Sequence, residues 1–99
     1  MYTLIAMKFE WDLKKEALNI KKHRVAFSEA ASVFFDDNAI AEFDLHHSDN
    51  EDRFKVIGFS SSLNLLFVVF VERGKKSIRI ISARKATKSE RSKYEEKNK

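Results

Sequence analysis

The sequence predicts an α+β fold: N-terminal helices packed on one face of a mainly antiparallel sheet, with a short helix closing the chain. Helix-period and cap signals are confined to residues 12–34 and 87–97, and three strand-like runs follow one another with only short polar turns between them. Helix and strand thus occur in separate blocks, and the strands are joined closely enough for hairpins, which is the pattern of a segregated α+β layer.

Taken in order, residues 4–9 read as a short strand, and Asp12, after Trp11, is a helix N-cap. Leu13, Ala17 and Ile20 recur at helical spacing and predict an inward apolar stripe on a helix ending near His23. Ser28 is the expected cap of a second helix, with Ala30, Val33 and Phe34 inward, and Asp36-Asp37-Asn38 breaks it. Residues 39–43 read as a strand within an acidic stretch, since residues 36–52 hold seven acidic side chains and no Lys or Arg. Strands are expected at 53–59, 65–72 and 76–83, turned by Ser60-Ser61-Ser62 and Arg73-Gly74 into an antiparallel meander. Thr87-Lys88-Ser89-Glu90 is a capping-box sequence, so a last helix runs from there toward Lys97. Trp11 reads as packing rather than a base-stacking platform, and Phe34, Phe35, Phe67 and Phe70 read as core.

A chain of 99 residues is one domain, with residues 1–6 as a candidate extension if Met7 is the start. The absence of Cys excludes disulfides, thiol catalysis and cysteine-based zinc sites, and points to the reducing cytoplasm. Residues 1–7 are too short and too weakly basic for a signal peptide, and the longest apolar run, 65–71, is strand-length rather than membrane-spanning. Charge is divided unevenly. Residues 73–99 carry 11 Lys or Arg against 3 acids, whereas residues 1–72 carry 8 against 12. A basic C-terminal module on a mildly acidic body suits a polyanion, nucleic-acid phosphate being the commonest, although a solvated basic surface has the same composition.

The chemistry-bearing residues point away from metals and phosphate loops. His46-His47-Ser48-Asp49 lacks a supporting third cluster, the chain has only two glycines, and no Gly-x-Ser-x-Gly nucleophile motif occurs. No cofactor is expected. Glu51, Arg53 and Lys55 share strand parity and line one face, while Glu72-Arg73 ends the next strand. Arg79 and Arg84 have opposite parity, so Arg84 joins a site with Arg79 only if the strand ends or bulges near Ser82. Metal-free RNA cleavage needs a base for the 2′-hydroxyl, charge stabilisation at phosphorus and an acid for the leaving 5′-oxygen. Arginine forks meet the second need; a Glu or His meets the first, and His23 or a Lys the third. As isolated pairs, Glu51–Arg53 and Glu72–Arg73 also read as ordinary surface charges, and Lys22-His23 suits a helix C-terminus on dipole grounds alone.

The combination of Phe9-Glu10-Trp11-Asp12, Asn19, Lys22-His23, Phe27-x-Glu29-Ala30, Val33-Phe34, Asp44, His47, Glu51-x-Arg53, Ile57-Gly58, Glu72-Arg73, Ile78 through Ala86, Glu90-Arg91 and Tyr94 resembles the BrnT toxins of type II toxin–antitoxin modules. The resemblance covers nearly the whole chain from Met7. It implies a RelE-like fold and an endoribonuclease that blocks translation. It also implies neutralisation by a BrnA-type ribbon-helix-helix antitoxin in a heterotetramer, which meets operator DNA only through the antitoxin. Lys22, His23, Glu51, Arg53, Arg73, Arg79 and Arg84 fall at the recurrent polar positions of that family. The roles expected of them are Glu51 or His23 as base and Arg53, Arg79 and Arg84 on the phosphate, with Arg73, Lys85 and Arg91 binding RNA around them. Arg24 departs from the pattern, standing where the family places a helix-ending Gly, so the end of the first helix is expected to be remodelled. Two further readings remain: a catalytically inactive corepressor acting with a DNA-binding partner, and a general RNA-binding protein, the latter weakened by the lack of an aromatic platform. The basic C-terminal region is expected to meet RNA phosphate when free and acidic antitoxin residues when bound.

Overall fold

The computed structural model describes residues 7–48 and 51–99. Residues 1–6, read above as an extension and the start of the first strand, and Asp49 of the histidine-containing stretch lie outside the described residues. The elements run β1 (Lys8–Glu10), α1 (Leu13–His23), α2 (Phe27–Ser32), a 3-10 turn at Val33–Phe35, β2 (Ile40–Phe43), a 3-10 turn at Leu45–His47, β3 (Arg53–Phe59), β4 (Leu65–Glu72), β5 (Ser77–Lys85) and α3 (Lys88–Lys97). The strands form one sheet in the order β1-β5-β4-β3-β2. The β2–β3–β4–β5 ladder is antiparallel, and β1 joins β5 in parallel, pairing Lys8 with Ser77 and Glu10 with Arg79.

Strand alternation divides the apolar residues between two faces. Val56, Leu66, Val68, Phe70, Ile78, Ile80 and Ala83 meet Val25, Phe27, Ala30, Val33 and Phe34 to form the main core. Ile57, Leu65 and Tyr94, with Ile40, Phe59, Phe67 and Ala86 around them, form a smaller core under α3 on the opposite face. The capping box of α3 is present, with Thr87 Oγ1 accepting from the Glu90 amide and the Glu90 carboxylate accepting from the Thr87 amide. Gly58 marks a close approach, because a Cβ there would lie 2.8 Å from Val33 Cγ1 and 2.9 Å from Ala39 Cβ. Trp11 packs edge-on against Phe27, as a packing residue should. Phe35, read as core, is instead 58% exposed, because the 3-10 turn after α2 rotates it off the buried side.

Helix α1 is oriented differently from its expected apolar stripe. Leu13 and Ile20 are 75% and 41% exposed and Ala17 is also exposed, whereas the least exposed positions are Glu16, Asn19 and His23. The reason is what α1 packs against. Because β1 covers β5 only over Ser77–Arg79, the rest of that sheet edge would present unpaired backbone groups. Asn19 satisfies those of Ala83: its Nδ2 donates to the Ala83 carbonyl at 2.8 Å and its Oδ1 accepts from the Ala83 amide at 3.1 Å. The same Nδ2 donates to the Val25 carbonyl at 2.9 Å. Glu16 turns inward to accept from the Phe27 amide at 2.9 Å, supplying α2 with the cap that Ala26, its N-cap in place of the expected Ser28, has no side chain to provide. A helix docked on backbone edges needs polar groups on its inner side.

The end of α1 is not remodelled. Arg24 adopts φ 60°, ψ 30° and donates its amide to the Ile20 carbonyl at 2.8 Å, so an arginine occupies the left-handed cap that glycine ordinarily fills.

Candidate functional site

Among the described residues α3 covers one end of the second sheet face, and the polar residues on the rest of it come from β1, β2, β3 and β5, with Val71, Val69 and Phe67 of β4 between them. Arg53 pairs with Val71, which pairs with Arg79, which pairs with Glu10, so these four positions form one row across β3, β4, β5 and β1. Parallel to it, Glu42 pairs with Lys55 and Lys55 with Val69. Arg53 and Arg79 are two strands apart, about 10 Å at the backbone.

Arg84 reaches the same face through a β-bulge. Val69 pairs with Ser82 but the next residue, Phe70, pairs with Ile80, leaving Ile81 as the extra residue in β5. The bulge resets the parity of the strand, so Arg79 opposite Val71 and Arg84 opposite Phe67 lie on one face despite their odd separation. Asn19, bonded to both backbone groups of Ala83, holds β5 immediately after this irregularity.

The charges are arranged as shared ion pairs. Glu10 Oε1 lies 3.5 Å from Arg73 Nε and 3.6 Å from an Arg79 terminal nitrogen. Glu42 Oε1 receives Lys93 at 2.6 Å and lies 3.6 Å from Lys55. The hydrogen bond from Lys93 is the main reason that the Glu42 carboxyl is held below its ordinary range, with Lys55 adding to it against the opposing effect of burial. Glu51 lies 3.9 Å from Arg53 Nε. Six cations therefore share four carboxylates when Arg84–Glu90 is included, and Arg91 sits beside them over the Phe59 ring, 5.9 Å from its centroid.

Arg84 differs from the others. Its two terminal nitrogens close on the two Glu90 oxygens at 2.8 and 2.9 Å, and its guanidinium stacks over Phe67 at 4.2 Å. Burial is the largest influence on Glu90 and works against its charge, yet the Arg84 fork and the Thr87 amide together hold its pKa below the ordinary carboxylate range. The Glu90 hydrogen bond correspondingly raises Arg84. A bidentate pair of this kind fixes geometry as well as charge, so Arg84 ties the start of α3 to β5, and its fork is already engaged.

Of the residues singled out in the sequence, Glu51, Arg53, Arg73, Arg79 and Arg84 are gathered around this face, whereas Lys85, paired with Leu66 at the end of β5, falls on the opposite, main-core face of the sheet. Lys22 and His23 are not among them. They lie in the last turn of α1, past Asn19, which sits level with Ala83. Arg79 pairs with Val71 and Ala83 with Val68, so across the bulge the two are three ladder positions apart, roughly 10 Å of strand. Glu51 and His23 thus stand toward opposite ends of the sheet, and among the described residues no hydrogen bond or ion pair joins them. Glu10 and Lys93 were not legible as site residues, because only the parallel pairing of β1 and the docking of α3 bring them to the face. Lys55 was read on this face but not singled out.

A groove of about 780 Å³ lies on the other side of the sheet, lined by Met7, Phe34, Ala41, Phe43, Phe54 and Val56 among others; none of these arginines borders it. Among the described residues no three His, Asp or Glu side chains converge as a metal site, and no helix is long and apolar enough to cross a membrane.

Residues 11–90 match the family described as the ribonuclease toxin BrnT of type II toxin–antitoxin systems. Among solved structures, the chain is similar to a crystal structure of the Brucella abortus ribonuclease toxin BrnT. The two share 27% identity over 83% of this chain and 99% of that one, with a TM-score of 0.61. No curated protein sequence matches significantly.

Proposed function

Because the chain belongs to the BrnT family of ribonuclease toxins of type II toxin–antitoxin systems, we propose that it cleaves RNA without metal on the open face of its sheet, inhibits translation by doing so, and is neutralised by a BrnA-type antitoxin. The observation that carries this reading is the row of Arg53 and Arg79 across β3–β5, with Glu51 beside Arg53 and Lys55 on the same face.

The chemistry follows from those groups. Glu51 takes the 2′-hydroxyl proton, and the 2′-oxygen attacks the adjacent phosphorus. Arg53 and Arg79 hold the non-bridging oxygens as negative charge builds on them. The bond from phosphorus to the 5′-oxygen breaks, leaving a 2′,3′-cyclic phosphate, and the departing oxygen takes a proton. Lys55 is the donor on this face, since arginine does not release its protons. Glu10 and Glu42, which pair Arg79 and Lys55 in the free protein, are displaced toward solvent as phosphate takes their place, while Glu51 stays beside the 2′-hydroxyl. Arg84, through Glu90, holds α3 against the sheet. Arg73 and Arg91 extend the basic track to flanking phosphates, and Lys22, His23 and Lys85 serve nucleotides at the far end.

Induced expression in a bacterial host tests this. The expected result is growth arrest with fragmented cellular RNA for the wild type, and neither for Arg53→Ala with Arg79→Ala. Unimpaired growth with soluble wild-type protein would instead favour the inactive corepressor.

A further inference from the structure

Helix α1 turns its polar side inward and leaves its apolar side in water. Leu13, Leu18 and Ile20 are 75%, 68% and 41% exposed, although the inward positions Glu16 and Asn19 carry the hydrogen bonds that hold the helix. At about 100° per residue, Leu13, Ala17 and Ile20 form one stripe, and Leu18 lies further round the same outward surface. Lysines frame them. Lys14, Lys15, Lys21 and Lys22 are all exposed, and among the described residues none is in an ion pair. The one acid of the helix, Glu16, is committed to the Phe27 amide.

We infer that this outward surface of α1 is the docking site of the antitoxin, which contributes a segment of apolar side chains flanked by Asp and Glu. The inference rests on the toxin–antitoxin reading. Charge complementarity selects this occupant. A second copy docked through the same face would set lysine against lysine, and RNA would use the lysines while leaving the apolar stripe wet. An acid-flanked apolar segment satisfies both, with the stripe as the desolvated centre of the contact and the ion pairs as its rim. Its acids would also reach Lys22, in the last turn of α1. This moves the anchoring contact from the basic C-terminal region, where charge alone puts it, to α1.

The test uses the purified full chain and the antitoxin encoded beside it, with affinity read by calorimetry and neutralisation by growth rescue. Leu13→Glu with Ile20→Glu is expected to weaken binding by about thirty-fold or more and to abolish rescue, while circular dichroism and melting stay as in the wild type. Leu45→Glu, at an equally exposed leucine elsewhere, is expected to bind normally. Lys14→Glu with Lys21→Glu is expected to weaken binding and flatten its salt dependence. Wild-type affinity and rescue in the double-leucine variant would overturn the inference while leaving the toxin–antitoxin reading intact. A wild-type dimer that this variant dissolves, with antitoxin binding unchanged, would assign the stripe to a second copy and overturn it as well. Failure of the wild type to bind the antitoxin would remove the toxin–antitoxin reading itself, and the inference with it.

Discussion

Asn19 is one side chain on which the basic face depends at a distance. It is 7% exposed and makes three hydrogen bonds, two to the backbone of Ala83 and one to the Val25 carbonyl. Truncation in Asn19→Ala removes all three. A buried backbone group left without a partner costs about 1–3 kcal/mol. Two of the three groups sit on a sheet edge where water can enter the vacated space, so a total near 3 kcal/mol is expected rather than the sum of three full penalties. Asn19→Asp separates donor from acceptor: it keeps an acceptor for the Ala83 amide but turns a carboxylate toward two carbonyl oxygens, and should lose at least as much as the alanine variant at neutral pH. Urea denaturation gives the stability change from the shift in midpoint, and hydrogen exchange at the Ala83 amide reports the edge directly. A loss below about 1 kcal/mol in Asn19→Ala, or an aspartate variant more stable than the alanine one, would refute this role for Asn19.

Two further outcomes follow from the same framework. Arg24→Gly removes a side chain from a left-handed position and is expected to stabilise the protein by about 1 kcal/mol, read from the denaturation midpoint; destabilisation would mean the arginine side chain makes a contribution that its backbone does not show. The Glu90 pKa is depressed on folding, so its pairing with Arg84 contributes stability that is full above the unfolded value of about 4.3 and is lost as pH falls through the folded one. Glu90→Gln should therefore be less stable than wild type by about 1.5 kcal/mol at pH 7, with the gap closing below about pH 4; a gap that persists in acid would contradict the pairing.

Much of the fold was legible because local signals agreed with the tertiary structure. β3 and β4 begin and end where alternation and turns put them, and Thr87 and Glu90 cap α3 as their spacing requires. Helix α1 was legible as a helix but not in its orientation, because periodicity shows that an apolar stripe exists and not that its own domain buries it. The parallel pairing of β1 with β5 was invisible for a related reason: a three-residue strand carries no register signal of its own. In the site, strand parity placed Arg53 and Lys55 on one face, with Glu51, just ahead of β3, reaching Arg53 from outside the strand, and it stated the condition under which Arg84 could join Arg79. The bulge itself lies in how β5 registers against β4, with Val69 on Ser82 and Phe70 on Ile80, a pairing that no local pattern encodes. The placement of His23 away from Glu51 likewise follows from how α1 docks, not from its own sequence.

The most direct measurement is cleavage of a defined RNA by the purified chain in the presence of a chelator, comparing wild type with Arg79→Ala and mapping the new ends. Cleavage by the wild type that leaves 2′,3′-cyclic phosphate and 5′-hydroxyl ends, and falls at least about a hundredfold in the variant as loss of one charge-stabilising donor should cause, is the expected result. Equal cleavage by both proteins would place the chemistry elsewhere than the open face of the sheet, and cleavage that requires added metal would contradict the proposed mechanism.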